Sequence, residues 1–206
     1  MVAVATACAA DAPPGISGTG LSTLGSRPAA ANPRLTGMPF LTSWGPDVYG
    51  AAPTNYRIVQ HPQTGFIYVG NTSGLLEFDG ATWRLMTLRN EGVVPIVVID
   101  ARGSVWLGGT NEVAVLRPDA RGELQPVDVT DRLPASERNL GRLYLGTTAS
   151  EGVYLASPTR LVFFGHDGSA RTWPSGSTNF NGLSWLDGSL YVSKARGRNS
   201  ITYRGS

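Results

Sequence analysis

The chain has 206 residues, enough for one domain with a buried core and too few for two large ones. Gly (26) and Pro (14) are abundant and charged residues make up only 16%, which argues against long helices and for a turn-rich all-β protein. The 17 basic and 15 acidic residues are scattered and leave a net charge of +2, so there is no basic stripe for nucleic acid, and no run of about 18 apolar residues is present to span a membrane.

The first residues, MVAVATACAADAPPG, hold a short apolar run, then small residues and Pro13-Pro14. Two readings fit: an export signal whose start lies upstream of Met1, and a small-residue, disordered N-terminus. The export reading has cleavage candidates at Ala5-Thr6-Ala7 and Ala7-Cys8-Ala9 but no charged leader, since the first basic residue is Arg27. Cys8 is the only cysteine, which excludes an internal disulfide and a CxxC metal knuckle. Read as a lipid-attachment cysteine, it lacks the usual Leu three residues earlier. From Asp11 to about Pro39 the composition is Gly, Ser, Thr, Ala and Pro, which buries too little surface to offset ordering entropy, so residues 1–39 are expected to be signal remnant and disordered linker. The GISGTGLSTLG stretch inside it follows no strand and lacks the Lys of a phosphate loop.

Beyond residue 40 the sequence repeats. Aligned on the aromatic within each apolar run, GFIYVG, GSVWLG, EGVYLA and GSLYVS place Tyr68, Trp106, Tyr154 and Tyr191 at spacings of 38, 48 and 37 residues. Each aromatic lies among Val, Leu or Ile and follows a Gly two or three positions earlier, the pattern of a turn feeding a buried strand. A strand and turn precede each run, a strand and Asp/Gly-rich turn follow it, and TWRLMT, LQPVDV and ARTWP supply a further strand in three units. The unit is therefore four short strands at the period of propeller blades, and stacked blades explain why the inner strands are almost continuously apolar. The predicted fold is an all-β, incomplete β-propeller of four-stranded antiparallel blades at about 55–88, 94–130, 140–175 and 180–206, with the last lacking its outer strand.

The stretch from Trp44 to Leu85 carries Gln60, Gly65, Tyr68, Gly70, Gly74-Leu75, Asp79-Gly80 and Trp83 in the order of one blade of the two-component-regulator propeller family, which it resembles. The match is close over this stretch and looser later: Asn111-Glu112-Val113 replaces the Gly-Leu turn in the second unit, and KARGRNSITYRGS loses it in the fourth. The resemblance implies the extracytoplasmic sensor region of a bacterial hybrid histidine kinase or diguanylate cyclase, periplasmic or extracellular and non-catalytic, with a carbohydrate or other small molecule as ligand and no cofactor. Such sensors have six to eight blades followed by a β-sandwich, a membrane helix and an output domain. The four units here are thus expected to be a truncated propeller, its missing blades supplied elsewhere or by a homo-oligomer partner. Competing expectations are a fragment of a propeller-type polysaccharide lyase or glycoside hydrolase, and a non-functional truncated product.

The chemistry-bearing residues read mostly as architecture. His61 and His166 sit beside turns in distant units and are expected to be solvated, with no metal-ligand spacing. Nucleophile motifs are missing. Asp47, Asp100, Glu112 and Glu151 are loop carboxylates that a propeller hydrolase would need paired; structural or solvated roles are expected instead. Trp44, Trp83, Trp173 and Trp185 could stack on sugar rings, but their strand positions favour packing between blades. The Asp79-Gly80, Asp167-Gly168 and Asp187-Gly188 pairs read as hairpin turns, without the clustered DxDxDG spacing of a calcium loop. Asn71-Thr72-Ser73 is formally a glycosylation sequon and reads as turn chemistry. No residue is assigned as catalytic, cofactor-binding or metal-binding, and ligand contacts are expected in the less patterned connections.

Overall fold

The computed structural model describes residues 2–5, 41–90, 92–194 and 201–203, which divide into two compact units at Trp44. In the first unit, β1 (Val2–Ala5) pairs antiparallel with β2 (Leu41–Trp44). β1 lies within residues 1–39, where a signal remnant and disordered linker are expected; Cys8, the cleavage candidates beyond Ala5 and the GISGTGLSTLG stretch lie outside the described residues.

The second unit opens with the one-turn helix α1 (Pro46–Tyr49) and continues as four antiparallel sheets in strict chain order. Blade one is β3 (Asn55–Gln60), β4 (Ile67–Asn71), β5 (Gly74–Phe78) and β6 (Trp83–Met86). Blade two is β7 (Ile96–Ile99), β8 (Val105–Gly108), β9 (Val113–Pro118) and β10 (Leu124–Asp128). Blade three is β11 (Leu145–Thr148), β12 (Gly152–Ala156), β13 (Arg160–Gly165) and β14 (Ala170–Pro174). Blade four holds three strands among the described residues, β15 (Phe180–Leu186), β16 (Ser189–Lys194) and β17 (Ile201–Tyr203). The first strands pack in series, β3 on β7, β7 on β11 and β11 on β15, which is the innermost ring of a β-propeller.

Three apolar cores lie between the four blades. The first joins Tyr68 and Leu75 of blade one to Val97, Val105, Leu107 and Ala114 of blade two. The second joins Trp106, Val113 and Val115 to Val153, Leu155, Val162 and Phe164, and the third joins Tyr154 and Phe163 to Phe180, Leu190 and Val192. Successive residues of a strand serve opposite cores: Val105 and Leu107 face back to blade one while Trp106 faces forward to blade three. Because side chains alternate with a period of two, a strand with a core on each side must be apolar at every position.

The forward aromatic is followed two positions later by a small residue: Gly70, Gly108, Ala156 and Ser193. Close approach of the next blade requires it. A Cβ on Gly70 would lie 2.4 Å from the Val94 carbonyl oxygen and 3.2 Å from Val97 Cγ2. Gly70→Ala is therefore expected to destabilise the fold by about 1–3 kcal/mol through overpacking, read as a lower midpoint in urea unfolding.

The Asp-Gly pairs divide into two kinds of turn. Asp187 (φ 48°) and Gly188 (φ 71°) are both left-handed, the two-residue turn that the fold-back from β15 to β16 requires. At Asp79 and Asp167 only the following Gly has positive φ, and the carboxylate instead accepts backbone N–H groups, of Ala81 and Thr82 in one turn and Ser169 in the other.

Candidate functional site

The rim carrying the β3–β4, β7–β8, β11–β12 and β13–β14 turns collects both histidines. His61 Nδ1 accepts the Gln63 and Thr64 N–H groups, leaving Nε2–H to donate to the Gly103 carbonyl at 2.8 Å across the blade one–two boundary. His166 crosses the next boundary: its Nε2–H donates to Asp100 Oδ2 at 3.0 Å, and the imidazole is 6% exposed. The expectation of two solvated turn histidines is thus corrected. Each turn faces the neighbouring blade instead of water.

Asp100 is the hub of this rim. Oδ1 accepts the Arg102 and Ser104 N–H groups, each at 2.9 Å, which closes the turn. Oδ2 accepts Trp106 Nε1–H at 2.8 Å as well as His166. Burial on its own would push the Asp100 carboxyl up, but the hydrogen bonds from Trp106, Ser104, His166 and Arg102 outweigh it and hold the group below its ordinary value.

The other predicted carboxylates do not converge on it. Asp47 lies exposed in the first turn of α1. Glu112 is buried on the opposite rim, where its two oxygens accept the Arg89 and Asn90 N–H groups at 3.0 and 2.6 Å. This explains the departure at the second-unit turn. Register places Glu112 where blade one has Gly74, and the side chain latches the connection between blades one and two. Asn71 of the sequon is buried, its amide donating to Ala52 O and Asn55 Oδ1, so the nitrogen a glycan would need is occupied and shielded.

Glu151 lines a cleft of about 740 Å³ at the outer edge of the boundary between blades three and four. The apolar wall is Tyr154, Phe163, Trp173 and Trp185; Tyr154 stacks on Trp185 with centroids 6.0 Å apart and lies 4.7 Å from Phe163. Trp173 and Trp185 are only half-buried, which leaves ring surface for a ligand, while Trp83 stacks on Phe78 inside blade one. Arg102, Glu151, Asp167 and Arg171 supply the polar rim. Burial pushes the Tyr154 phenol up, with Glu151 adding to the effect, so the hydroxyl stays protonated at neutral pH. His166 also lines this cleft, and its Nδ1 is buried with no hydrogen-bond partner among the described residues. The size, the aromatic wall and the few polar groups are those of a small-molecule site. Its aromatic wall comes from strands, while Arg102, Ser150, Glu151, Asp167 and Gly188 come from the connections between strands. Among the described residues no three His, Cys, Asp or Glu side chains are grouped as metal ligands, and no helix is long and apolar enough to cross a membrane.

Fold and cleft together define a β-propeller portion with a small-molecule-sized cleft between two of its blades. No family model matches the sequence, and no curated protein matches it. Solved structures share the fold. A virginiamycin B lyase from Staphylococcus aureus superposes with a TM-score of 0.55 at 12% identity, over 82% of this chain and 60% of that one. The extracellular domain assigned to a hybrid two component system from B. thetaiotaomicron gives 0.52 at 14% identity, over 69% of this chain and 19% of that one. The Pan2 WD40 domain of Neurospora crassa gives 0.51 at 13% identity, over 74% and 46%. The chain therefore spans less than two thirds of the length of each.

Proposed function

We propose that this chain is a non-catalytic sensing module of a bacterial signal-transduction receptor, of the two-component-regulator propeller type, acting in the periplasm or outside the cell. The ligand is a carbohydrate or a similarly hydroxylated small molecule. The observation that carries the reading is the cleft: half-buried Trp173 and Trp185 offer ring surface to the C–H side of a sugar ring, and Arg102, Glu151, Asp167 and Arg171 on its rim can hydrogen-bond hydroxyl groups. The blade pattern around Tyr68 and the fold shared with a receptor's extracellular domain support the signalling context.

Calorimetric titration of the full chain against a panel of mono- and oligosaccharides tests it. Binding without product, weakened at least ~10-fold in Trp185→Ala and Trp173→Ala, is the expected result. Release of product from any bound glycan would place the protein among the propeller lyases or hydrolases instead, and no binding across the panel would remove the carbohydrate reading.

A further inference from the structure

Blades one and three each present a row of three cross-strand residues that begins with Tyr and ends with Arg, and the two rows differ in the middle. In blade one, register pairs Tyr68 with Glu77 and Glu77 with Arg84. In blade three it pairs Tyr154 with Phe163 and Phe163 with Arg171. Tyr68 and Tyr154 hold equivalent positions in the cores shared with the next blade. The corresponding row of blade two, Trp106, Val115 and Val127, carries no charge.

The middle residue decides what the arginine does. Buried Glu77 binds Arg84 through Oε1, which accepts Nε–H at 3.0 Å and lies 2.9 Å from Nη2, and Arg84 Nη2 also donates to Leu124 O of blade two at 3.0 Å. The arginine of blade one is therefore satisfied within the chain. Phe163 removes that carboxylate from blade three, and among the described residues Arg171 makes no hydrogen bond or ion pair. It lines the cleft instead, beside Tyr154, Phe163 and Trp173. The acids of the cleft are engaged in their own turns: Asp167 Oδ1 accepts Ser169 N–H at 2.9 Å, and Glu151 Oε2 accepts the Ser150 hydroxyl at 2.7 Å. The Asp167 carboxyl is held below its ordinary value chiefly by the Ser169 hydroxyl and N–H, with Arg171 the weakest contributor.

We infer that Arg171 recognises a carboxylate carried by the ligand, which takes the place that the Glu77 carboxylate holds in blade one, so that the cleft selects acidic sugars, the hexuronates, over their neutral counterparts. This rests on the carbohydrate reading of the cleft and narrows it. A guanidinium can hold a carboxylate through two parallel N–H bonds, and such charge-assisted bonds are about twice as strong as those between neutral groups. Phe163 thus does two things: it extends the aromatic wall, and it leaves the acceptor of the arginine to be supplied by the ligand. Glu151 and Asp167 stand in the rim turns, where their charge repels a further carboxylate, so the acid end of the sugar is placed at β14.

Calorimetric titration of the full chain at neutral pH with matched ligands tests this: glucose against glucuronate and galactose against galacturonate, as monomers and as oligosaccharides, with the methyl ester of galacturonate as an uncharged control. The uronates are expected to bind at least ~10-fold more tightly than the neutral sugars and the ester. Arg171→Gln, at an exposed position where the circular dichroism should be unchanged, is expected to bring that ratio to within ~2-fold, whereas Trp185→Ala weakens acidic and neutral ligands alike and keeps the ratio. Equal binding of uronate and neutral sugar overturns the inference and leaves the carbohydrate reading standing. Binding of neither overturns both, and a uronate preference that survives Arg171→Gln overturns the role given to Arg171.

Discussion

Replacing Asp100 by alanine is expected to lower the unfolding free energy by about 3–5 kcal/mol, a large share of a domain's whole stability. The carboxylate is 4% exposed and holds four donors: two backbone N–H groups that shape the β7–β8 turn, the Trp106 indole and the His166 imidazole. Truncation strands all four at once. The indole and imidazole are the costly ones, because both are buried at a blade boundary where water cannot replace the lost acceptor. Urea unfolding followed by tryptophan fluorescence would give the change in midpoint; a loss below about 1 kcal/mol would mean that Asp100 is not the clamp between blades two and three. The same site sets an acid limit. Its carboxyl is held below its ordinary value of 3.8 in the folded protein, so the stabilisation is complete above that value and is lost as pH falls through the lower, folded one. Asp100→Asn should flatten the stability profile across that acid window.

The blade architecture was legible because burial on two faces leaves a strong trace: an aromatic inside an unbroken apolar run, preceded by Gly, recurring at Tyr68, Trp106, Tyr154 and Tyr191. The outer strands were legible through Trp83 and Trp173, and the turns through their Asp-Gly pairs. The Asp100–His166 pair was not, since its members stand 66 positions apart in different blades, and a GHDG turn looks solvated until the neighbouring blade is placed against it. The exposure of Tyr191 was hidden for the same reason. Its aromatic-centred run resembles that of Tyr154, and the plain difference between them is that Tyr154 packs against Phe180, Leu190 and Val192 of the next blade. The cleft was legible only as two candidate sugar-stacking residues, Trp173 and Trp185, because its wall combines strand residues of blade three with Trp185 of blade four, all of which also read as packing. One hint was available: β16 reads Ser189-Leu-Tyr-Val-Ser-Lys194, polar at both ends, where β8 and β12 are apolar or Gly throughout. That change of pattern marks the strand whose one face is uncovered.

Trp106→Ala and Tyr191→Ala make the contrast measurable, because the two residues hold equivalent positions in the repeat and differ only in what lies in front of them. Trp106 is 2% exposed within the core of Val113, Val115, Val153 and Phe164 and also donates to Asp100, so its truncation is expected to cost about 3–5 kcal/mol through cavity and lost hydrogen bond together. Tyr191 is 38% exposed, and its truncation should cost about 0.5 kcal/mol or less. Urea midpoints of the two variants measure the contrast directly. If Tyr191→Ala proves as damaging as Trp106→Ala, its ring is packed in solution as the Trp106 indole is.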